Sequence, residues 1–444
     1  MAVVHLPSQL ATRAGAAEVA LAAASVREAL HALVDAHPPL DGWVTDEKGG
    51  LRQHVSVFVN DRQADLDTPL GDDDRLYVVP AISGGGRNGA GEVRVLVGTR
   101  KGLFVLAGPR GGELSVAERW FEGQNADFAT VDRRTGVELA GVSHGQYGPR
   151  LMRREPGGEW EQADLAFPED AGEVLERVWS VEPGELPGQL WAGVSPAALF
   201  ESRDDGRTWK LNRALWTVPG REEWSGGAGG LCLHSICPWP GRPERLAVGV
   251  SAAGVWRTED GGESWAWGVD GLVPRYIPEE ARAETTMFCV HHVERCPERP
   301  QRLYLQFHGG VYRSDDEGAS WVDLHTDSGL PADFGFPLLT DPRDPERAYV
   351  IPLVADVDRV TPEGKLRVYT TDNAGEEWQP LAGGLPQQGA WLTVLRQAFA
   401  HDGGSPLGLY FGATSGELFA SADGGESWVT AARRLPPVLS VRCG

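Results

Sequence analysis

Four side chains in this sequence could meet at one chemical site. Cys232-Leu-His234 and Cys289-Val-His291 are two copies of one Cys-x-His spacing, 57 residues apart. In an extended strand residues i and i+2 face the same way, so each pair offers a thiol and an imidazole on one face. Two thiols and two imidazoles suit a soft divalent metal such as zinc; a thiolate beside an imidazole also suits nucleophilic chemistry. Cysteine is equally at home as a small buried residue, so duplicated packing is the competing reading. His144 and His308 follow similar strands and could approach the same face. Cys237 and Cys296 precede proline and read as turn substitutions. A second feature is Gly84-Gly85-Gly86, which opens a glycine-rich stretch to Gly91 that reads by composition as a flexible linker.

The elements that position the four side chains follow from a repeat. Trp160, Trp209, Trp265, Trp321, Trp378 and Trp428 recur at intervals of 49, 56, 56, 57 and 50 residues. Most end a short motif, as in Ser202-Arg-Asp204-Asp-Gly206-Arg-Thr-Trp209, with Asp260, Asp316 and Asp423 in the matching places and Asn373 substituting before Trp378. Asp and Ser/Thr can bond the turn's own backbone, Gly supplies a left-handed conformation, and Trp packs between sheets, so the motif reads as a folding device. A repeat of this length means an array of small sheets. Each unit divides into four strands, A to D. The stretch from Val93 to Phe121 supplies only B, C and D, and Val438 to Arg442 supplies an orphan A. Seven blades result, with the ring closed by the C-terminal strand so that no sheet edge is left open.

Strand A lines the channel of such a ring, and 57 residues is one repeat, so the two Cys-x-His pairs occupy equivalent places on adjacent blades. The D–A and B–C loops share one face, opposite the Asp turns. Two D–A loops are long and aromatic, one with Trp216 and Trp224 and the other with Arg275 and Tyr276. Arg100 and Lys101 follow the first strand B, and an insertion at Ala355-Asp-Val-Asp-Arg359 joins the same face. Loops on a rigid scaffold commonly carry binding, so this is the candidate face for an unknown protein or small-molecule ligand; ordinary crossing segments are the alternative.

Residues 1–86 do not share the repeat. They read as two strands, a helix capped by Ser25 with Glu28 in the capping-box position, then strands at Val55 to Val59 and Arg75 to Val79. This is an α+β, β-grasp pattern. The acidic turn Gly71-Asp-Asp-Asp74, the last strand, Pro80 and the Gly-Gly that follows resemble the MoaD/ThiS family of ubiquitin-like sulfur carriers. The resemblance implies an activating enzyme that adenylates a terminal glycine carboxylate, making a thiocarboxylate or conjugate. Here Gly85 is followed by Gly86-Arg87, so a carboxylate requires a processing protease; otherwise the domain docks uncut. The expected division is 1–86 for this domain, 87–92 for a linker and 93–444 for the propeller.

From Val93 to Val441 the phrases Val97-Gly-Thr-Arg-Lys-Gly-Leu-Phe104, Cys232-Leu-His-Ser-Ile236 and Gly310-Val-Tyr-Arg-Ser-Asp-Asp316 resemble the BNR, or Asp-box, propellers often labelled sialidase-like. The aromatic-Arg-Ile/Leu-Pro motif of sialidases has no counterpart in the first blade; Arg275-Tyr-Ile-Pro278 has the wrong order. The net charge of -22 argues against nucleic acid or anionic membrane as a partner. Five cysteines fit reduced thiols better than a disulfide framework, and the first residues lack the basic n-region of a secretory signal. The sequence therefore reads as a cytoplasmic fusion: a ubiquitin-like carrier or modifier domain on a non-catalytic BNR propeller. A sialidase-like hydrolase or a metal/thiol enzyme in the channel is the alternative.

Overall fold

The computed structural model describes residues 2–6, 10–11, 14–16, 18–40, 44–45, 50–51, 55–60, 62–72, 74–80, 91–227, 229–325 and 328–444. The chain forms two compact units, one centred on Met1–Gly86 and one holding nearly all of Arg87–Gly444. Gly84, Gly85 and Gly86 lie outside the described residues.

Among the described residues the first unit has strands β1 (Ala2–His5), β2 (Glu18–Leu21), β3 (Val55–Val59), β4 (Arg62–Ala64) and β5 (Arg75–Pro80), and a helix, α1 (Val26–Ala36). The sheet order is β2-β1-β5-β3-β4, with β1 and β5 parallel and the rest antiparallel. The Ser25 side chain caps α1 by accepting from the Glu28 amide. The Glu28 carboxylate reaches the amide of Ala24, one residue before the cap, instead of closing the reciprocal box on Ser25 itself. Val26, Ala29, Leu30 and Leu33 are buried against Val4, Val57, Leu76 and Val78 of the sheet. Before the last strand the acidic turn is tied by Asp74, which accepts from the Gly71 amide (2.8 Å) and from Asn60 Nδ2 (2.9 Å). These bonds hold the Asp74 carboxyl below its ordinary range.

The second unit is built of strands β6 to β33 with one short helix, α2 (Arg213–Trp216). Five four-stranded sheets run in chain order: β9 (Asn125–Asp132), β10 (Val137–His144), β11 (Gly148–Arg154) and β12 (Glu161–Gln162), then β13–β16 between Arg177 and Leu211, β17–β20 between Cys232 and Gly268, β21–β24 between Val290 and Asp323, and β25–β28 between Gly335 and Leu381. The strands β6 (Glu92–Thr99), β7 (Gly102–Pro109), β8 (Ser115–Trp120), β29 (Val394–His401), β30 (Leu409–Ala413), β31 (Leu418–Ser421), β32 (Val429–Ala432) and β33 (Val438–Cys443) form an eight-stranded sheet in the order β32-β31-β30-β29-β33-β6-β7-β8. In it β33 (Val438–Cys443) pairs antiparallel with β6 (Glu92–Thr99), so the last strand completes the first four-stranded group. The first strands of successive sheets lie side by side, β13 (Arg177–Pro183), β17 (Cys232–Trp239), β21 (Val290–Arg295), β25 (Gly335–Asp341), β29 (Val394–His401) and β33, which makes the unit propeller-like.

A glycine in the second strand sets how closely neighbouring sheets approach. A Cβ at Gly98, Gly141, Gly193, Gly249 or Gly412 would fall 2.5 to 3.0 Å from Ala126, Val178, Leu233, Val290 or Val438, respectively, on the first strand of the next sheet. Beside four of these contacts the first strand carries a bulge, skipping Trp179, His234, His291 and Leu439 in the pairing register. A bulge leaves one residue unpaired and re-aims its side chain.

The repeated turns hold as the motif demands. Asp260 accepts from the Ser264 amide (2.9 Å), the Ser264 hydroxyl (2.5 Å) and the Thr258 hydroxyl (2.8 Å), while Thr258 accepts from the Gly262 amide. The Ser264 hydroxyl leads in holding the Asp260 carboxyl down at about 2. Asp204, Asp316 and Asp423 make the same set of bonds. Asn373 keeps the bonds from Thr371 and the Glu377 amide, but Glu377 offers no hydroxyl. Trp209, Trp321, Trp378 and Trp428 are buried; Trp265 is half-buried and donates to Asn212 across the sheet boundary.

Candidate functional site

His234 and His291 sit at bulges on adjacent first strands, yet their surroundings differ. His234 Nε2 is 3.0 Å from the Val290 carbonyl, and its Nδ1 is 3.0 Å from Ser235 Oγ. Ser235 Oγ also accepts from the Val293 amide (3.0 Å). A neutral ring donating through Nε2 and accepting at Nδ1 satisfies all of these groups. Burial holds its pKa well below the usual range. His234 therefore joins two strands and has no nitrogen left for a ligand. Cys232 is buried, its Sγ 3.8 Å from Arg396 Nη1.

The second pair is arranged otherwise. His291 Nδ1 is 2.6 Å from the Gly335 carbonyl, which assigns the proton to Nδ1 and leaves Nε2 with a free lone pair. One ligand atom each from Cys289, His291 and His308 lies within 4.8 Å of the others. The convergent group is thus Cys289, His291 and His308. Cys232 and His234 stand outside it because the bulge turns His234 toward its neighbouring strand. His308 follows β22 (Leu303–Phe307) and stacks on Tyr276 at 4.5 Å. The Tyr276 hydroxyl accepts from the Cys289 amide and donates to the Met287 carbonyl, both at 2.7 Å, so this residue positions the loop. Burial raises the Cys289 thiol above its ordinary value and lowers His308 below its own. His291 contacts Phe334 and Phe336 at 5.0 Å.

Arg396, unnoticed in the sequence, places a buried cation among these strands. From β29 its guanidinium reaches Cys232 on β17 and lies over the rings of Trp179 (5.2 Å) and Phe336 (5.7 Å). Its neighbour Gln397 donates to the His234 carbonyl at 2.8 Å. The two side chains form a crossbar between strands three sheets apart. Beyond it lies a second polar group, in which Arg442 bonds Gln397 and lies 3.8 Å from Glu182. Burial raises Glu294 to about 8 and lowers His292 to about 3.

The other expected binding residues are placed individually. Arg100 and Lys101 form the exposed β6–β7 turn, and His144 stacks on Tyr147 at 4.9 Å in the β10–β11 turn. Trp216 and Trp224 clasp Arg221 of their own loop, each at 4.6 Å, so they pack the loop instead of opening to solvent. Arg275 is held by the Gly309 carbonyl, Tyr312 and Asp323. Cys237 lies within β17, which runs on to Trp239, and its thiol meets the Val293 carbonyl; it is not a turn residue. Exposed large apolar side chains occur in the D–A and B–C loops at Tyr147, Val174, Val273, Met287, Val357 and Trp391, and on strands at Val116, Trp267, Val322 and Val429. No helix among the described residues is long and apolar enough to cross a membrane.

A small mixed sheet gripping one helix, with an acidic turn ahead of its last strand, defines a ubiquitin-like domain. The ThiS family matches residues 4–85, and through this domain the chain belongs to that family. Small archaeal modifier protein 1 of Haloferax volcanii is 40% identical over 62 residues, 14% of this chain and 71% of that protein. Its crystal structure aligns with 19% of this chain and 98% of its own, at 36% identity and a TM-score of 0.18. The oligoxyloglucan reducing end-specific xyloglucanase of Emericella nidulans is 24% identical over 248 residues, 48% of this chain. The chain spans 28% of that enzyme's length. The crystal structure of an ancestral GH74 enzyme aligns over 69% of this chain and 36% of its own, at 16% identity and a TM-score of 0.44. The protein is a ThiS-family domain fused to a β-propeller-like domain.

Proposed function

We propose that this chain is a sulfur-carrier or protein-modifier domain carried on a propeller that binds a partner or substrate. One observation carries the reading: the ThiS match ends at Gly85, the second glycine of the tail on which carriers of this family are activated. An adenylating enzyme is the implied partner, and a protease cutting after Gly85 or Gly86 would free the carboxylate. The second unit is then a seven-bladed ring of the BNR type, closed by the pairing of β33 with β6. Its D–A and B–C loops, with their exposed apolar side chains, form the binding face. Coexpression with an adenylating enzyme and the processing protease, followed by intact-mass measurement, tests this. Cleavage or an adduct at Gly85 or Gly86 supports it; a chain that stays whole and unadducted reduces the domain to a docking module.

A second reading, a hydrolase working among the first strands, is favoured by the similarity to a xyloglucanase and by the buried polar side chains on those strands, Arg396 and His291 among them. Release of reducing ends from a panel of oligosaccharides, including sialosides and xyloglucan fragments, tests it. Turnover that persists in Arg396→Ala would remove that arginine from the reading.

A further inference from the structure

We propose that Cys289, His291 and His308 form a three-ligand site for a zinc-class transition metal, its fourth position left to a ligand from outside the chain. This goes beyond the carrier reading, because it concerns only the second unit. The three ligand atoms already lie within 4.8 Å of one another. Tetrahedral zinc with bonds of about 2.0 to 2.3 Å separates its ligands by about 3.5 Å. Rotations that move each side chain by about 1 Å therefore complete the set.

The surroundings are those of a metal site in three independent respects. His291 donates its Nδ1 proton to the Gly335 carbonyl, which fixes the ring and leaves Nε2 as its ligand atom. His308 has the Asp356 carboxylate 3.7 Å from its Nε2, just beyond hydrogen-bond length, so a small rotation brings the two into the carboxylate–histidine pairing that makes an imidazole a stronger ligand. Cys289 Sγ is 3.6 Å from Ser251 Oγ, a hydroxyl donor for a thiolate. The Cys289 amide is held by Tyr276, and the rings of Phe334 and Phe336 wall the group against its neighbours. By contrast, His234 has spent both nitrogens, so the fourth ligand does not come from the repeated pair. The fixed charge of Arg396, over the Phe336 ring that His291 also touches, suits the remaining position to water or to the carboxylate of an anionic ligand.

The full-length chain, purified without chelator and then equilibrated with zinc, should carry about one metal per chain by elemental analysis. Cobalt(II) in its place should show a thiolate-to-metal charge-transfer absorption. Cys289→Ser should abolish that absorption, whereas Cys232→Ser and His234→Gln should keep it. Asp356→Asn, on an exposed insertion, should weaken zinc binding about tenfold while leaving the thermal transition in place. No stoichiometric metal in the wild-type chain overturns the proposal even if every variant misfolds. An absorption that survives Cys289→Ser and disappears in Cys232→Ser overturns the ligand assignment.

Discussion

The two units place their chemistry at opposite ends of their own architecture. On the proposed reading, α1 and the sheet of the first unit are support, and activation falls on the glycines that follow β5 in the sequence. In the second, the terminal strand β33 is structural, and reactive groups gather mid-chain on first strands. The difference follows from how each core is built. A small helix-on-sheet core has no interior to spare for polar groups, so the proposed reading gives activity to the glycines after it. In the second unit the first strands lie side by side, and a bulge in β21 leaves His291 unpaired and re-aims its side chain.

This contrast can be broken by cutting each unit at its support. Removing residues 438–444 takes Val438 and Val441 from the core and strips β6 of its partner, so the second unit should lose its cooperative unfolding altogether. Calorimetry should then show only the transition of the first unit. Conversely, Leu30→Ala, at a fully buried position of α1, should cost the first unit about 2 to 5 kcal/mol and leave the second transition unmoved. Gly193→Ala forces a methyl to 2.5 Å from the Leu233 carbonyl; a loss of about 1 to 3 kcal/mol in the second transition is expected by denaturant titration.

The smallest effects separate the two kinds of carboxylate in the second unit. Asp260 has its pKa depressed to about 2, so its stabilisation is present above the ordinary carboxyl value of 3.8 and is lost as pH falls toward 2. The melting temperatures of wild type and Asp260→Asn should therefore converge in acid. Glu294 behaves oppositely: raised to about 8, it binds a proton in the folded state that the unfolded chain has already released. Between pH 4.5 and 8 it erodes stability as pH rises, so Glu294→Gln should melt higher than wild type at pH 8 and equal to it below pH 4.5. Equal pH profiles for the two variants would show that channel and rim do not differ electrostatically.

Much of this was legible in the sequence, because local rules governed it. The spacing of Trp209, Trp265, Trp321, Trp378 and Trp428 marked the sheets, and Ser25 marked the start of α1. The pairing of β33 with β6 was readable as an orphan strand at the far end. The site was legible only in part. Strand alternation gave the two Cys-x-His pairs the same aim, but a bulge adds an unpaired residue whose direction depends on the next strand. His234 found the Val290 carbonyl, whereas His291 found Gly335, and no local pattern distinguishes those outcomes. Arg396 was invisible for a different reason: it meets Cys232 across 164 residues, from a strand whose own register slips between Val394 and Phe399. The glycine series at 98, 141, 193, 249 and 412 could have been found by aligning second strands on the tryptophan period. Trp216 and Trp224 misled because aromatic loops look alike whether they face a ligand or grip an arginine of their own.

The crossbar of Arg396 and Gln397 has a mechanical consequence. It ties β29 to β17 without passing through β21 and β25, the first strands that lie between them. A strain applied at one of the two strands therefore reaches the other through side chains as well as through the intervening sheets.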